Sequence, residues 1–476
     1  MEFGESAGDP QSPPPERPGP ADGRPAWAPL LAVCAGYFMV ILDVTVLNVA
    51  VPVIGRELSA SLTGIQWITD GYTLVFAGFL LTGGALGDRL GNRRIFCWGV
   101  VVFTLASAVC ALAPDAPVLV AARLVEGLGA ALIVPGSLAL LQQTHPAPAA
   151  RSRAIGLWGA MAGVAASAGP LLGGLLVSTA GWRWVFVINL PVGAACLILT
   201  LRYVAASPRH PDRAIDWPAQ CAVVAGVALL TGALNEAGRR GWSDPAVIAG
   251  LALAALAAAA FGLRERLARS PALPPALLRS RPMAGGALVG LLFNFAFYGM
   301  VFTASLQFQQ QRGFGALETG LALFPAVAVT MFASVLSGRL SSRTGHRPLV
   351  VSGMLLAALG LAGWAVAGTD TAYVLLALFM TAAGFGTSFA LTGTTVTVMS
   401  AAPPAYAGAA SAVFNTTRQI GSAAGVALGG SLLATAGHSA GLRVSMAAGA
   451  LAYLTAAAVA RYSVPSGRTA ATGASP

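Results

Sequence analysis

Lysine is absent from this 476-residue chain, so all 28 basic residues are arginine. Without lysine the chain cannot perform Schiff-base catalysis. It also cannot form a phosphate-binding loop of the Gly-x-x-x-x-Gly-Lys type, which an ATP-driven pump requires. Charged residues of both signs make up only 10% of the chain, against about 25% in soluble domains. This scarcity of charge argues against a soluble globular protein.

Cysteine and histidine are also scarce, with five and four residues respectively. The cysteines lie inside apolar stretches and no two have Cys-x-x-Cys spacing, which argues against a zinc site or a disulfide framework. The sequence contains no Gly-x-Ser-x-Gly elbow and no catalytic dyad, the usual marks of a hydrolase. We therefore expect no metal, no cofactor and no enzymatic activity.

What the chain has in abundance is long apolar runs, since 56% of its residues are hydrophobic. At 1.5 Å per helical residue, most of these runs reach the roughly 30 Å of a bilayer core. The sequence thus predicts an all-α polytopic protein of the plasma membrane, embedded in the lipid bilayer. Fourteen runs are expected to span it, at residues 28–54, 64–86, 95–113, 117–142, 154–177, 184–204, 217–234, 245–263, 283–309, 318–338, 349–367, 371–399, 407–433 and 441–463.

The arginines predict the orientation of these spans. Twenty fall in the two tails and in the loops that follow even-numbered runs, six fall in the opposite loops, and Arg123 and Arg418 lie within runs. Cytoplasmic loops carry the excess of basic residues, so we expect both termini in the cytoplasm. Because the net charge of +10 is scattered over short loops, it reflects topology, and no nucleic-acid partner is expected.

The chain repeats itself across its middle. A Gly…Arg-x-Gly-x-Arg pattern at residues 84–93 returns at 338–347, and a glycine-rich pattern at 169–174 returns at 425–430. The two offsets are nearly equal, which indicates two related bundles of six spans with a substrate path between them. The predicted organisation is a disordered cytoplasmic tail over 1–27, a first bundle over 28–204, a linker with two inserted spans over 205–282, a second bundle over 283–463 and a disordered tail over 464–476.

The polar stretch at residues 83–94 predicts a short turn between the second and third runs. It resembles the signature loop of the major facilitator superfamily, Gly-x-Leu-x-Asp-Arg-x-Gly-x-Arg-Arg. The resemblance implies a facilitator fold and a role in conformational gating for five residues, namely Gly84, Asp88, Arg89, Gly91 and Arg93. In the second copy Ser342 stands where Asp88 stands in the first, so any role of that carboxylate differs between the halves.

Four further stretches look like the fourteen-span drug:proton antiporter branch of this superfamily. They lie at residues 42–52, 66–74, 182–191 and 415–421. The six-plus-two-plus-six layout of the predicted spans fits the same branch. This resemblance implies a proton-coupled antiporter that exports hydrophobic small molecules such as drugs or antibiotics, and a monomer.

The fifth run carries a strip of residues with little or no side chain. It resembles the antiporter motif Gly-x-x-x-Gly-Pro-x-x-Gly-Gly, although Ala165 replaces its first glycine. Small residues allow close helix contacts in lipid, and a proline bends a helix. The implied role is a sliding or hinge surface between the bundles, and the alternative is a tight packing seam. The strip consists of Gly163, Gly169, Pro170, Gly173 and Gly174.

In the first half, Asp43, Asp70, Arg123 and Glu126 lie well inside predicted spans. A charge at the middle of the bilayer costs at least ~2.5–3.5 kcal/mol on insertion scales. Arg123 and Glu126 share one helical face at i and i+3, where the family pattern reads Arg-x-x-Gln-Gly. We expect Asp43 and Asp70 to be the leading proton-coupling acids, with Glu126 third and Arg123 as the modulating cation. The alternatives are a simple Arg123–Glu126 ion pair and a packing role for Asp43.

In the second half, aromatic and amide residues are candidates to line the substrate path, because such groups bind flat lipophilic molecules. Helix packing is the alternative for each. The leading candidates are Asn294, Tyr298 and Gln307, and the wider set adds Phe295, Phe297, Gln310 and Phe324.

Export of hydrophobic molecules, driven by protons, is the function that the sequence favours. A proton-coupled uptake permease for a small nutrient is a second reading, which the glycine–proline strip and the fourteen-span layout disfavour. A membrane enzyme or sensor without transport is a third. It would need a catalytic constellation or a soluble domain, and we find neither in the sequence.

Overall fold

The computed structural model describes residues 27–60, 62–209, 217–267, 279–367 and 371–466, and within these ranges all regular structure is helical. A π-helical turn over Gln307–Gln311 extends one helix, and a 3-10 turn over Pro404–Tyr406 precedes another. The α-helices are α1 Ala28–Glu57, α2 Leu62–Leu90, α3 Asn92–Leu112, α4 Ala116–Thr144, α5 Pro148–Thr179, α6 Trp184–Val187, α7 Asn189–Tyr203, α8 Trp217–Arg240, α9 Pro245–Leu267, α10 Arg281–Leu306, α11 Ala316–Thr344, α12 His346–Ala367, α13 Tyr373–Ala401, α14 Ala407–Ala436 and α15 His438–Ser463.

Thirteen helical segments of the described chain are long and apolar enough to cross a membrane. They confirm an all-α, multi-pass membrane architecture, and they count α6 and α7 as one segment, Trp184–Tyr203. The helix that is not among them is α2, although it has 29 residues. Asp70, Asp88 and Arg89 reduce its apolar character, so a total of fourteen spans stays a prediction.

The predicted polar turn over residues 83–94 is wrong in extent. Helix α2 continues to Leu90 and α3 begins at Asn92, so Gly91 alone joins the two helices. Gly91 has a φ of 98°, a left-handed conformation that glycine adopts without steric cost. One residue can reverse the chain here because it carries no side chain. Most of the signature loop is therefore helical.

The helices pack mainly with neighbours from their own half of the chain. In the first half α1 packs on α5 and α7, and α4 packs on α2 and α3. In the second half α10 packs on α14 and α15, and α12 packs on α13 and α15. Large buried side chains fill each core, among them Phe103 and Trp158 in the first and Phe293 and Trp364 in the second.

The two halves meet along two main seams, α2 against α14 and α5 against α11. Helix α8 lies over the first seam, because it packs on both α2 and α14, and α9 packs on α8. Thr82 of α2 donates to Gln220 of α8 at 3.0 Å, and Ser431 of α14 donates to the Ala237 carbonyl at 3.3 Å. The division into domains stays a prediction, and the tails, residues 1–26 and 467–476, lie outside the described residues.

Candidate functional site

Three charged side chains meet inside the first bundle. Arg123 Nη1 lies 2.6 Å from Asp43 Oδ2 and 2.6 Å from Glu126 Oε2. All three residues are at most 2% exposed. Asp43 comes from α1 and the other two from α4, so the predicted i, i+3 pair is joined by an acid 80 residues away along the chain. We call these residues the charged triad.

An amide and a hydroxyl connect the two carboxyl groups of the triad. Asn189 Nδ2 donates to Asp43 Oδ1 and to Ser107 Oγ, both at 3.0 Å. Ser107 in turn donates to Glu126 Oε1. With the two Arg123 contacts, these hydrogen bonds close a ring that draws on α1, α3, α4 and α7.

Sequence reasoning missed Asn189 and Ser107 as members of this site. Asn189 lies in the stretch 182–191, which carried the family resemblance but no assigned role. The helix breaks after Val187, and α7 begins at Asn189, which places this amide at the level of the triad. Ser107 is one small residue in an apolar helix, and no sequence signal distinguishes it.

The remaining contacts of Arg123 are with backbone and aromatic groups. Its Nε donates to the Ile68 carbonyl at 3.2 Å, and its guanidinium carbon lies 4.2 Å from the centre of the Tyr72 ring. Cys110 Sγ donates to Glu126 Oε2 at 3.7 Å. The cation is thus held by two carboxylates, a carbonyl and a π face, which together replace the water it has lost.

Asp70, a leading coupling acid in our sequence interpretation, is not part of the triad. Its side chain is exposed on α2, and Thr69 donates to its Oδ1 at 3.4 Å. The helical phase explains the difference, because Ile68 and Tyr72 of the same helix face the triad while Asp70 lies on another face. A role for Asp70 in proton coupling stays a prediction without support from the triad.

Asp88 links the first half to the second. It is 4% exposed, and its two carboxylate oxygens accept hydrogen bonds from the backbone nitrogens of Gly408 and Ala409 at 2.8 and 2.9 Å. These nitrogens belong to the first turn of α14, where the helix presents unpaired N–H groups and partial positive charge. The carboxylate therefore caps a helix of the opposite half.

The backbones approach closely beside this cap. A Cβ atom on Gly84 would lie 2.3 Å from the Gly408 carbonyl oxygen, and one on Gly408 would lie 2.4 Å from the Gly84 oxygen. Nearby, Arg93 donates to the Leu201 carbonyl at 2.5 Å, while Arg89 is half-buried. The structure thus places Gly84 and Asp88 at the contact between halves, and gating by these residues stays a prediction.

The glycine strip of α5 divides between two partners. Gly163 faces the second half, since a Cβ there would lie 2.2 Å from Thr330 Oγ1 of α11. Gly169 and Gly173 face α1 of their own bundle, with Thr45 and Val46 as neighbours. In this conformation, therefore, Gly169 and Gly173 lie against their own bundle and not between the two bundles.

The other two members of the strip are Gly174 and Pro170. A Cβ on Gly174 would meet no atom within 4 Å. The backbone of α5 is helical through Pro170, whose side chain lies outside the described residues. Bending at this proline and a hinge role for the strip stay predictions.

In the second half, the candidate path residues differ in exposure. Tyr298 is 43% exposed, whereas Asn294 and Gln307 are 5% and 2% exposed. Asn294 Nδ2 donates to the Arg418 carbonyl at 3.0 Å and to Ser422 Oγ at 3.1 Å, so it joins α10 to α14. Of the three, Tyr298 is the one with a largely exposed side chain in this conformation.

A sequence profile of the Major Facilitator Superfamily matches residues 33–426, a range that contains the charged triad, the α5 strip and the Asp88 cap on α14. The chain belongs to the major facilitator superfamily. Relatives match this facilitator over most of its sequence.

Three relatives are named for resistance or export. The facilitator is 38% identical over 439 residues to the methylenomycin A resistance protein of Streptomyces coelicolor, covering 91% of this chain and 92% of the relative. It is 38% identical to the tetracenomycin C resistance and export protein of Streptomyces glaucescens, with 87% and 77% covered. It is 37% identical to the multidrug resistance protein Stp of Mycobacterium tuberculosis, with 85% and 75% covered.

Among solved structures, the facilitator is similar to the human organic anion transporter MFSD10. The TM-score is 0.67 at 18% identity, with 91% of this chain and 100% of that chain covered. At this identity the likeness shows the fold alone. Chemically, the facilitator offers a buried acid–arginine site in its first half and helix-capping contacts between halves, an arrangement suited to proton binding and conformational change.

Proposed function

We propose that this facilitator is a proton-coupled antiporter that exports hydrophobic small molecules from the cytoplasm across the plasma membrane by alternating access. The observation that carries the proposal is the charged triad, because titratable groups enclosed in a transmembrane bundle are costly and mark proton or substrate pathways. The resistance and export proteins to which the chain is similar support the direction of transport. The proton gradient, with no cofactor, supplies the energy.

The triad suits proton coupling because its contacts depend on protonation. A carboxylate beside Arg123 is favoured in its ionised form, whereas burial favours the neutral acid. Protonation of Asp43 weakens its bond to Arg123, which is the bond that joins α1 to α4. A proton taken up from outside thus changes helix–helix contacts inside the first bundle.

The seam between α2 and α14 suits the conformational half of the cycle. Its contacts, the Asp88 cap and the Gly84–Gly408 approach, lie at the ends of helices that the arginine distribution assigns to the cytoplasm. With these contacts formed, the path is closed on the cytoplasmic side. Export requires that they break and re-form once per cycle.

The test is transport in proteoliposomes that hold the purified protein and an imposed pH gradient. Ethidium and Hoechst 33342 serve as hydrophobic probes, with proton flux measured in parallel. We expect proton-driven probe movement in the direction of export, loss of it with an uncoupler, and loss of it in Asp43→Asn. Glu236→Gln is the matched control, because Glu236 pairs with Arg240 within α8 and is not part of the triad.

Two outcomes would contradict the proposal. Movement of the probe in the same direction as the protons would indicate uptake by symport. If no lipophilic compound from a broad panel moved, although the vesicles held folded protein, transport by this mechanism would be refuted.

A further inference from the structure

The charged triad does not balance its own charge. It contains two carboxyl groups and one guanidinium group, each at most 2% exposed. If both acids were ionised, the buried site would carry one net negative charge, which a low-dielectric interior strongly disfavours.

Among the residues that the structure describes, the neighbours of the triad supply no second cation. Tyr72 from α2, Cys110 from α3 and Asn189 from α7 contact it, together with the ring of Phe186 from α6. None of these side chains is positively charged. In the described part of the chain, Arg123 is therefore the sole cation in contact with either acid.

Asp43 and Glu126 are also too close together for the charge of one to be independent of the charge of the other. Both lie 2.6 Å from the same atom, Arg123 Nη1, so their nearest oxygens are separated by no more than the sum of those contacts. The Asn189–Ser107 bridge joins their other oxygens. The charge on either carboxyl group therefore acts directly on the other.

We infer that Asp43 and Glu126 hold one proton between them near neutral pH, so that the triad is neutral in this closed conformation. The proton stays in the ring and is released only when the ring opens. Glu126 thus shares the binding of the coupling proton with Asp43. It differs in this from the glutamine of the family pattern Arg-x-x-Gln-Gly, which cannot carry a negative charge.

The consequence for transport rests on the proposed proton-coupled export. With glutamine at position 126, Asp43 and Arg123 would form a balanced pair, and a proton would bind only at lower pH. With Glu126, the second negative charge keeps a proton bound up to a higher pH. The facilitator is then loaded with its coupling proton in a neutral medium.

The direct test needs no substrate. Infrared difference spectroscopy on the purified, lipid-reconstituted protein follows the carbonyl stretch of a protonated carboxylic acid as the pH is varied. For the unaltered protein we expect one such acid that persists to neutral pH. Glu126→Gln and Asp43→Asn should each remove this neutral-pH signal, although each variant keeps the other acid, because either change leaves a balanced ion pair.

Two variants serve as controls for this signature. Glu126→Asp keeps the second negative charge and should keep the signal, and Glu236→Gln should leave it unchanged. Persistence of the signal in either single variant would overturn the inference, since it would assign the proton to one acid acting alone. Absence of the signal in the unaltered protein would also overturn it.

The functional readout is the pH profile of ethidium movement in the same vesicles. We expect Glu126→Gln to transport with its pH optimum moved to lower pH, because the second negative charge is removed. Should Glu126→Gln show the unaltered profile, the inference fails while proton-coupled export stands. Should the unaltered protein move no probe in response to a pH gradient, the proposed function fails, and the infrared result still decides whether a proton is shared.

Discussion

The free energy that the Asp88 cap on α14 contributes to the contact between the halves can be calculated and measured. In Asp88→Asn the side chain keeps one carbonyl oxygen for one of the two N–H groups, but it presents an amide nitrogen to the other and loses its charge. Hydrogen bonds to charged groups contribute about 1.5–3 kcal/mol, and a charge at a helix N-terminus contributes up to ~2 kcal/mol when buried. Because these two contributions overlap, we expect Asp88→Asn to lose about 2–3 kcal/mol of stabilising free energy.

This loss falls on the closed conformation, since the cap joins the two halves and breaks when they separate. At 1.4 kcal/mol per factor of ten, the ratio of closed to open molecules should fall about 30- to 150-fold. Electron–electron distance measurements can report that ratio, with spin labels on cysteines introduced at the exposed positions Arg94 and Pro403. Exposed Cys221 is removed first, whereas the other four native cysteines are buried.

Asp115→Asn is the matched control for this experiment. Asp115 caps α4 through the Val118 nitrogen at 2.9 Å, so it is also a carboxylate at a helix N-terminus, but within a single bundle. It should leave the distance distribution unchanged. If Asp88→Asn and Asp115→Asn gave the same distribution as the unaltered protein, the argument that Asp88 stabilises the closed state would be refuted.

Three further outcomes are expected. Gly408→Ala should favour the open state in the same distance measurement, because its Cβ would lie 2.4 Å from the Gly84 oxygen. An unchanged closed population would show that α2 and α14 can move apart enough to accept the added methyl group. Asn189→Leu should lower the free energy of unfolding of the purified protein by about 2–5 kcal/mol, because two buried hydrogen bonds are lost. An unchanged melting curve would contradict the role of Asn189 in linking Asp43 to Ser107. Asp70→Asn should retain proton-driven ethidium export while Asp43→Asn loses it; the reverse result would return the coupling role to Asp70.

Much of the fold could be predicted from the sequence because a bilayer imposes strong local rules. Apolar length predicts spans one at a time, and Gly91 marks a reversal that needs no long-range information. Even here the extent of the α2–α3 connection was overestimated. Polar residues such as Asp88 and Arg89 suggested a loop, but the helix continues because Asp88 finds its partners on α14.

The site was predicted only where its residues share a helix. Arg123 and Glu126 are three residues apart, so their pairing follows from helical geometry. The contact with Asp43 depends on how α1 is rotated against α4, and the exposure of Asp70 depends on the rotation of α2. Apolar runs with weak periodicity do not specify these rotations, which tertiary packing decides.

The position of α8 has a consequence for how cargo reaches the path. A lipophilic molecule dissolved in the membrane can enter a transporter sideways, through a gap between helices. Helix α8 is hydrogen-bonded to both α2 and α14. It therefore covers the seam between these two helices. We therefore expect a lipophilic molecule that enters sideways from the lipid to do so elsewhere than between α2 and α14.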